Sequence, residues 1–186
     1  MTTYRWRGLG TGSVEHLDVV LRDGLVRARS VVDLGPERLE YAMELGPDWV
    51  FRALRLRSST GREVDVGRDA DGLWHVDGAA RPDLADAVDV DLSFSPFTNT
   101  LPVRRLGLEV EAAADLVTAY VDGSTSAPPS ASWYPVTPDP QRYTRLSRDR
   151  YVYESRGSEF HREITVDQDG FVVDYPGLFA RLPAIA

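Results

Sequence analysis

Five polar residues near the middle of the chain could bind a ligand or take part in catalysis: Asp89, Asp91, Asn99, Arg104 and Arg105. Carboxylates at alternate positions of a strand share one face, so Asp89 and Asp91 could act together as acid and base, although a solvated strand face is the favoured interpretation. An arginine that faces the interior needs an anion, either a protein carboxylate or an acidic group of a ligand. An internal ion pair of one arginine with Asp89 or Asp91 is the favoured interpretation.

The elements that must position these residues are a strand and the loop that follows it. From Val88 to Phe94, apolar and polar residues alternate, which predicts a strand with one buried face. Pro96 and Pro102 then bracket a loop whose conformation they restrict, so that its side chains are held in place. The two arginines are predicted on a new extended segment, where neighbours point to opposite faces and one therefore points inward. Within the loop, Thr98 and Thr100 are expected to bond the backbone.

A second candidate region lies near the C-terminus, where Asp174 and Tyr175 precede a Pro-Gly turn and the pair Leu178 and Phe179. One interpretation is a plug that closes one end of the fold. The other is a lid over a cavity, with Asp174 offering a polar contact. The plug is favoured, because Gly177 is the only glycine available as a hinge.

Composition and spacing exclude several classes of function. The chain has no cysteine, and His16, His75 and His161 fall on separate predicted strands, so neither a metal site nor a cofactor is expected. No glycine-rich phosphate loop or nucleophile elbow is present. A net charge of −8 argues against nucleic acid as a partner. No apolar run is long enough for a membrane span and no secretory signal precedes the first strand, so the expected location is the cytoplasm.

The overall pattern predicts an all-β fold in a single domain spanning residues 1–186. Turn signals recur between short alternating segments, which indicates consecutive antiparallel strands. They lie at Asp23-Gly24, Gly35-Pro36, Gly46-Pro47, Thr60-Gly61, Asp71-Gly72, Arg156-Gly157 and Asp169-Gly170. Only Pro82 to Ala87 has a helical pattern, Leu106 to Val110 reads as extended, and Gly123 to Ser132 is expected to be a mobile loop. A single curved sheet would accommodate both halves of the chain.

The sequence resembles the Putative glycolipid-binding family of bacteria. The resemblance lies in Asp89 to Leu92 followed by Pro96 to Leu106, and again in Asp167 to Gly170 followed by Val173 to Phe179. Weaker matches are Trp6, Ser30, Trp49 with Arg52, Gly72 with Trp74, and Gln141 with Tyr143. The resemblance implies a spiral β-roll, similar to the half-barrels that carry lipoproteins, and a glycolipid as the ligand.

The concave face of a curved sheet is a natural site for an apolar ligand. Aromatic residues on predicted strands could line it, although packing in the core is the favoured role for most of them: Trp49, Phe51, Trp74, Tyr120, Tyr151, Tyr153, Phe160 and Phe171. The leading hypothesis is a non-catalytic binding protein for a glycolipid or similar amphiphile, whose head group meets Asn99 and Arg104 or Arg105.

Two alternatives to a binding protein stay open. One is an enzyme that acts on a small acidic or carbohydrate-like substrate in the same cavity, using Asp89 or Asp91 and an arginine. The other is a protein-interaction module that uses an open sheet edge. The oligomeric state does not follow from the sequence.

Overall fold

A computed structural model describes residues 1–123 and 134–183, and these form one sheet of 15 strands. The strands are β1 Thr2–Gly8, β2 Val14–Arg22, β3 Leu25–Asp33, β4 Arg38–Leu45, β5 Phe51–Ser58, β6 Glu63–Arg68, β7 Trp74–Val76, β8 Ala79–Ala80, β9 Ala87–Leu92, β10 Ala113–Val121, β11 Val136–Arg145, β12 Arg150–Ser155, β13 His161–Val166, β14 Val172–Tyr175 and β15 Phe179–Arg181. Within the described residues, the one α-helix is α1 (Thr100–Leu106), and short 3-10 helices cover Pro82–Leu84 and Pro96–Asn99. The predicted all-β class with little helix is confirmed.

The sheet runs in the order β8-β7-β6-β5-β4-β3-β2-β1-β15-β14-β13-β12-β11-β10-β9. Every neighbouring pair is antiparallel except β9 and β10, which are parallel, so the sheet is mostly rather than wholly antiparallel. Although β7 and β9 lie near opposite ends of this order, the indole of Trp74 donates a hydrogen bond to the carbonyl of Ala87 at 2.9 Å. The sheet must therefore curl until its two ends approach each other.

Local sequence signals explain the regular part of the sheet. All seven predicted turns connect consecutive strands in the structure. In β3 and β4 buried and exposed residues alternate along the whole strand, as a period of two requires when one face is buried. The buried faces of β1 to β7 share one hydrophobic core with β9, β10 and Leu101 of α1. A second core lies under β11 to β14 and includes Val103 of α1.

The segment between Pro96 and Leu106 is helical, which corrects the prediction of a loop followed by an extended segment. Both prolines fit helix starts, because backbone N–H groups in a first turn have no helical partner and proline loses nothing there. Ser95 caps the 3-10 helix by accepting a hydrogen bond from the amide of Phe97 at 3.2 Å. All residues from Pro96 to Val103 are buried, so this segment fills the interior and connects the two cores.

Three smaller predictions also need correction. The helix predicted over Pro82 to Ala87 is a 3-10 helix that ends at Leu84, because Ala87 begins β9. Leu106 to Val110 is not a strand, since Gly107 ends α1 with a φ of 52°. Trp49, Phe160 and Phe171 lie just outside strands rather than within them. Of the loop predicted over Gly123 to Ser132, all but Gly123 lies outside the described residues.

Among the residues that the structure describes, no helix has the length and apolar character needed to span a membrane.

Candidate ligand-binding cavity

A cavity of about 410 Å³ opens among the strands of the C-terminal half, and we call it the acidic cavity. Its volume lies within the range of small-molecule sites. The lining residues come from β9 to β12, from β14 and β15, and from the connections between them. They are Asp91, Leu92, Ser93, Ser95, Asn99, Tyr120, Thr137, Pro138, Asp139, Tyr153, Ser155, Ser158, Phe160, Tyr175, Leu178 and Phe179.

The cavity exists because β11 and β12 separate at one end. Their ladder ends with Gln141 opposite Ser155, and one further backbone bond runs from the amide of Arg156 to the carbonyl of Pro140 at 2.8 Å, so the first four residues of β11 pair only with β10. Pro138 falls in this part of β11, where a proline costs no hydrogen bond on the free edge. The opening that results is bordered by Thr137, Pro138 and Asp139 on one side and by the residues after β12 on the other.

Two carboxylates in the cavity are held by a single buried amide. Gln141, which is 1% exposed, donates from Nε2 to Asp91 Oδ2 at 2.7 Å and to Asp139 Oδ2 at 2.9 Å. The hydroxyl of Thr98 donates to the other oxygen of Asp91 at 2.9 Å and accepts from the amide of Leu92 at 3.1 Å. Asp91 is therefore fixed at both oxygens. Burial raises its pKa, the hydrogen bonds from Gln141 and Thr98 oppose that shift, and the charge of Asp139 adds to it.

Asn99 and Ser95 contribute polar groups to the same wall. Asn99 is 6% exposed, and its carbonyl oxygen accepts a hydrogen bond from the hydroxyl of Tyr143 at 3.1 Å. Ser95 lies between the cavity and a fully buried carboxylate, because its hydroxyl donates to Glu15 Oε1 at 2.8 Å. Ser30 and Tyr41 donate to the same oxygen, each at 2.8 Å. Burial raises the pKa of Glu15 to about 7, and these three hydroxyls offset only part of the rise.

Aromatic rings form a curved wall on the other side of the acidic cavity. The ring of Tyr153 lies 6.0 Å from that of Phe160 and 6.2 Å from that of Tyr175. Tyr175 in turn lies 6.3 Å from Phe179. Successive planes are inclined by 60° to 65°, so the rings turn around the space instead of stacking flat. Such a wall presents both ring faces and phenol hydroxyls to a ligand.

A second space of about 510 Å³ adjoins the acidic cavity, and we call it the apolar groove. Ser93, Leu178 and Phe179 border both. The groove is further lined by Gly10, Thr11, Ser13, Leu34, Pro36, Glu37, Phe94, Asp122 and Gly123. The carboxylate of Glu37 is paired with Arg62 at 2.6 Å, so its charge is balanced locally. The two spaces therefore meet at a shared wall. Each lining includes two carboxylates, Asp91 and Asp139 in the cavity and Glu37 and Asp122 in the groove, whose remaining surface is mostly apolar.

The structure brings three of the predicted site residues, Asp91, Asn99 and Tyr175, into the acidic cavity. Asp89 and Arg105 form an ion pair instead, with Nη2 of Arg105 2.6 Å from Oδ2 of Asp89. This confirms the internal ion pair expected from the sequence. Asp89 is 0% exposed, so burial raises its pKa while the bonds and charge of Arg105 oppose the shift.

The remaining two predicted site residues lie outside the acidic cavity. The guanidinium of Arg104 lies over the ring of Trp49 at 4.3 Å and donates to the carbonyl of Asp169 at 2.5 Å. Asp174 is exposed on β14. Tyr175, Leu178 and Phe179 form part of the cavity wall, whereas Asp174, which the lid interpretation used as a polar contact, does not line the cavity.

Sequence reasoning did not identify Asp139 as a site residue. It lies between Pro138 and Pro140, a pattern that predicts a turn rather than a strand. Gln141, which holds it, carries part of the family resemblance and could have directed attention to this segment. Glu15 shares the strand phase of the buried Leu17 and Val19, so alternation along β2 already placed its carboxylate on the interior face.

The described residues contain no group of three or more histidine, aspartate or glutamate side chains placed to hold a metal ion. His16, His75 and His161 lie on β2, β7 and β13 respectively.

A curled, mostly antiparallel sheet around the buried helical segment of residues 96–106, with a partly enclosed cavity between separated strands, defines an all-β protein of the open-roll type. The chain belongs to the family described as "Putative glycolipid-binding", whose model matches residues 3–181. A similar solved structure is the crystal structure of a DUF1089 family protein from Pseudomonas aeruginosa. It is 31% identical, has a TM-score of 0.72, and the match covers 90% of this chain and 92% of that one. Comparison with curated proteins gives no match.

Proposed function

We propose that the protein is a non-catalytic, cytoplasmic binding protein for a glycolipid-like amphiphile, with the head group in the acidic cavity and the apolar chain along the groove. The observation that carries this proposal is the shared wall of Ser93, Leu178 and Phe179, which borders both spaces. A ligand with a polar and an apolar end can occupy both spaces at once only if they adjoin. The family to which the chain belongs supports the same ligand class.

The acidic cavity suits a glycosyl head group. Asp91 and Asp139 offer carboxylate acceptors for sugar hydroxyls, and Asn99 adds an amide. The inclined rings of Tyr153 and Tyr175 offer apolar faces against which the C–H groups of a sugar ring pack. Because Thr98 and Gln141 already fix Asp91, binding does not have to order that carboxylate.

The apolar groove suits the chain of the amphiphile. Leu34, Pro36, Phe94 and Leu178 supply its apolar surface. Gly123 packs directly against Phe94, because a Cβ at that position would overlap the phenyl ring. Each methylene group that becomes fully buried here should contribute about 0.8 kcal/mol to binding.

Octyl glucoside below its micelle concentration tests the two-part binding mode directly. We expect it to bind more tightly than methyl glucoside, which lacks the chain, and more tightly than octanol, which lacks the sugar. Isothermal titration calorimetry gives the three affinities, and native mass spectrometry gives the stoichiometry. If octanol binds as tightly as octyl glucoside, the acidic cavity does not hold a head group. If methyl glucoside binds as tightly as octyl glucoside, the groove does not hold a chain.

A charge placed on the shared wall should block binding without unfolding the protein. Leu178 is 38% exposed, so Leu178→Asp should fold, yet the carboxylate would lie where the chain passes from cavity to groove. We expect a loss of roughly tenfold or more in octyl glucoside affinity. Leu73→Asp is the matched control, because Leu73 is 60% exposed and lines neither space. Equal losses in both variants would argue against the assigned path.

A second candidate function is hydrolysis of a glycoside in the acidic cavity. The specific observation is that Asp91 and Asp139 are brought together by Gln141 and that the pKa of Asp91 is raised by burial, as a general acid requires. Release of nitrophenol from nitrophenyl hexosides, abolished by Asp139→Asn, would favour this function. We expect no such release, because the hydrogen bonds from Thr98 and Gln141 stabilise the ionised form of Asp91 and so oppose the protonation that a general acid needs.

A further inference from the structure

The acidic cavity contains an imbalance of charge. Its lining includes Asp91 and Asp139, whereas the described lining residues include no arginine, lysine or histidine. The two segments outside the described residues, 124–133 and 184–186, contain none of these residue types in their sequence. The guanidinium of Arg162 lies 4.7 Å from the ring centroid of Phe160, but Arg162 is not among the lining residues.

Two of the other buried carboxylates, Asp89 and Glu37, are neutralised by arginine, whereas the buried Glu15 is held by three hydroxyls. Asp89 pairs with Arg105 at 2.6 Å, and Glu37 pairs with Arg62 at the same distance. The Asp91 and Asp139 carboxylates instead share the amide of Gln141, and within the described residues neither forms an ion pair. An amide donates hydrogen bonds but carries no net charge, so the two negative charges remain uncompensated.

The negative potential extends over the aromatic wall. Burial and then the charge of Asp91 raise the pKa of Tyr120, Tyr153 and Tyr175, which line the same cavity, and the positive charge of Arg162 offsets part of the rise at Tyr175. These phenols therefore remain neutral and present their ring faces. Ring faces attract cations through their quadrupole, and two nearby carboxylates add to this attraction. The same negative potential would repel an anionic head group.

We propose that the head group bound in the acidic cavity carries a protonated amine, as in an amino sugar, and that Asp91, Asp139 and the ring faces of Tyr153 and Tyr175 recognise it. This inference rests on the proposed function, because it assigns the chemical class of the head group in the same site. The ammonium supplies the counter-charge that the two carboxylates lack. Phosphorylated, sulfated and uronic head groups are excluded by the same charges.

Three octyl glycosides whose head groups are cationic, neutral and anionic test this assignment. Octyl glucosaminide carries the amine, octyl N-acetylglucosaminide has the same ring without the charge, and octyl glucuronide carries a carboxylate. Calorimetry at about pH 6.5 keeps a weakly basic amine mostly protonated. We expect the amine to bind roughly tenfold more tightly than the N-acetyl compound, and the glucuronide to show no measurable binding.

Asp139→Asn removes one charge while keeping the shape of the side chain. It should reduce the preference for the amine over the N-acetyl compound to about threefold or less. Asp23→Asn is the matched control, because Asp23 is in the exposed turn between β2 and β3 with a φ of 54°, which asparagine tolerates. The control makes the same change in net charge and should retain the full preference.

The possible outcomes separate the two proposals. Equal affinity of wild-type protein for the amine and the N-acetyl compound overturns the amine assignment but leaves the binding of an amphiphile intact. Tighter binding of the glucuronide than of the amine overturns the amine assignment as well. If no octyl glycoside binds, the proposed function itself fails. The wild-type comparison decides these cases even if Asp139→Asn does not fold, and a preference that survives in a folded Asp139→Asn would also overturn the assignment.

Discussion

Replacement of Arg105 by alanine should destabilise the protein by about 3–5 kcal/mol, because it leaves a buried carboxylate without its counter-ion. Asp89 is 0% exposed, and Arg105 contacts it through Nη2 at 2.6 Å and through Nε at 3.1 Å. No other arginine is hydrogen-bonded to Asp89 among the described residues. Urea unfolding at neutral pH measures the change in the free energy of unfolding.

Arg148→Ala is the matched control, because the Arg148 side chain is exposed in the turn before β12. The hydrogen bond at this residue is made by its backbone carbonyl, which accepts from Arg145 at 2.9 Å and is kept in the alanine variant. Loss of the Arg148 side chain should change stability by less than about 0.5 kcal/mol. The double variant Asp89→Asn with Arg105→Ala should recover part of the loss, since it removes the stranded charge. Similar stabilities for Arg105→Ala and Arg148→Ala would show that the ion pair contributes nothing to folding.

The fold class follows from the sequence because its determinants are local. Each turn carries its own glycine or proline signal, and the alternation in β3 and β4 identifies the buried face without knowledge of the partner strand. The helical segment of residues 96–106 shows where local signals are no longer sufficient to predict the structure. Pro96 and Pro102 fit a restricted loop and a helix start equally well, and only burial of the whole segment between the two cores favours the helix.

The candidate site depends on long-range contacts that a sequence pattern does not contain. Asp91 and Asp139 meet because β9 pairs in parallel with β10, and β10 pairs with β11. Parallel pairing of neighbouring strands requires a crossover, here the segment that includes α1, and nothing local specifies its register. The sequence predicts an ion pair of one arginine with Asp89 or Asp91, and the structure forms it between Arg105 and Asp89. Arg105 lies on a helix, however, so the strand argument for its direction is wrong.

The second large effect concerns Glu15. Its replacement by glutamine should remove a loss of folding stability that this carboxyl group causes as pH rises. Burial raises the pKa of Glu15 from 4.5 to about 7, so the folded state retains its proton at pH values where the unfolded state has lost it. The contribution of Glu15 to stability is therefore complete below about pH 4.5 and declines as pH rises to about 7. The total decline should be about 3 kcal/mol.

Urea unfolding of wild type and Glu15→Gln between about pH 4.5 and 8 measures this effect as a difference between two curves, which removes the contribution of the other carboxylates. The stability of Glu15→Gln relative to wild type should increase through that window, because glutamine keeps the acceptor for Ser30, Tyr41 and Ser95 and carries no charge. Glu40→Gln, on the exposed face of β4, is the control and should give a flat difference. If the stability of Glu15→Gln relative to wild type increased toward low pH instead, the three hydroxyls would stabilise the Glu15 carboxylate by more than its burial costs.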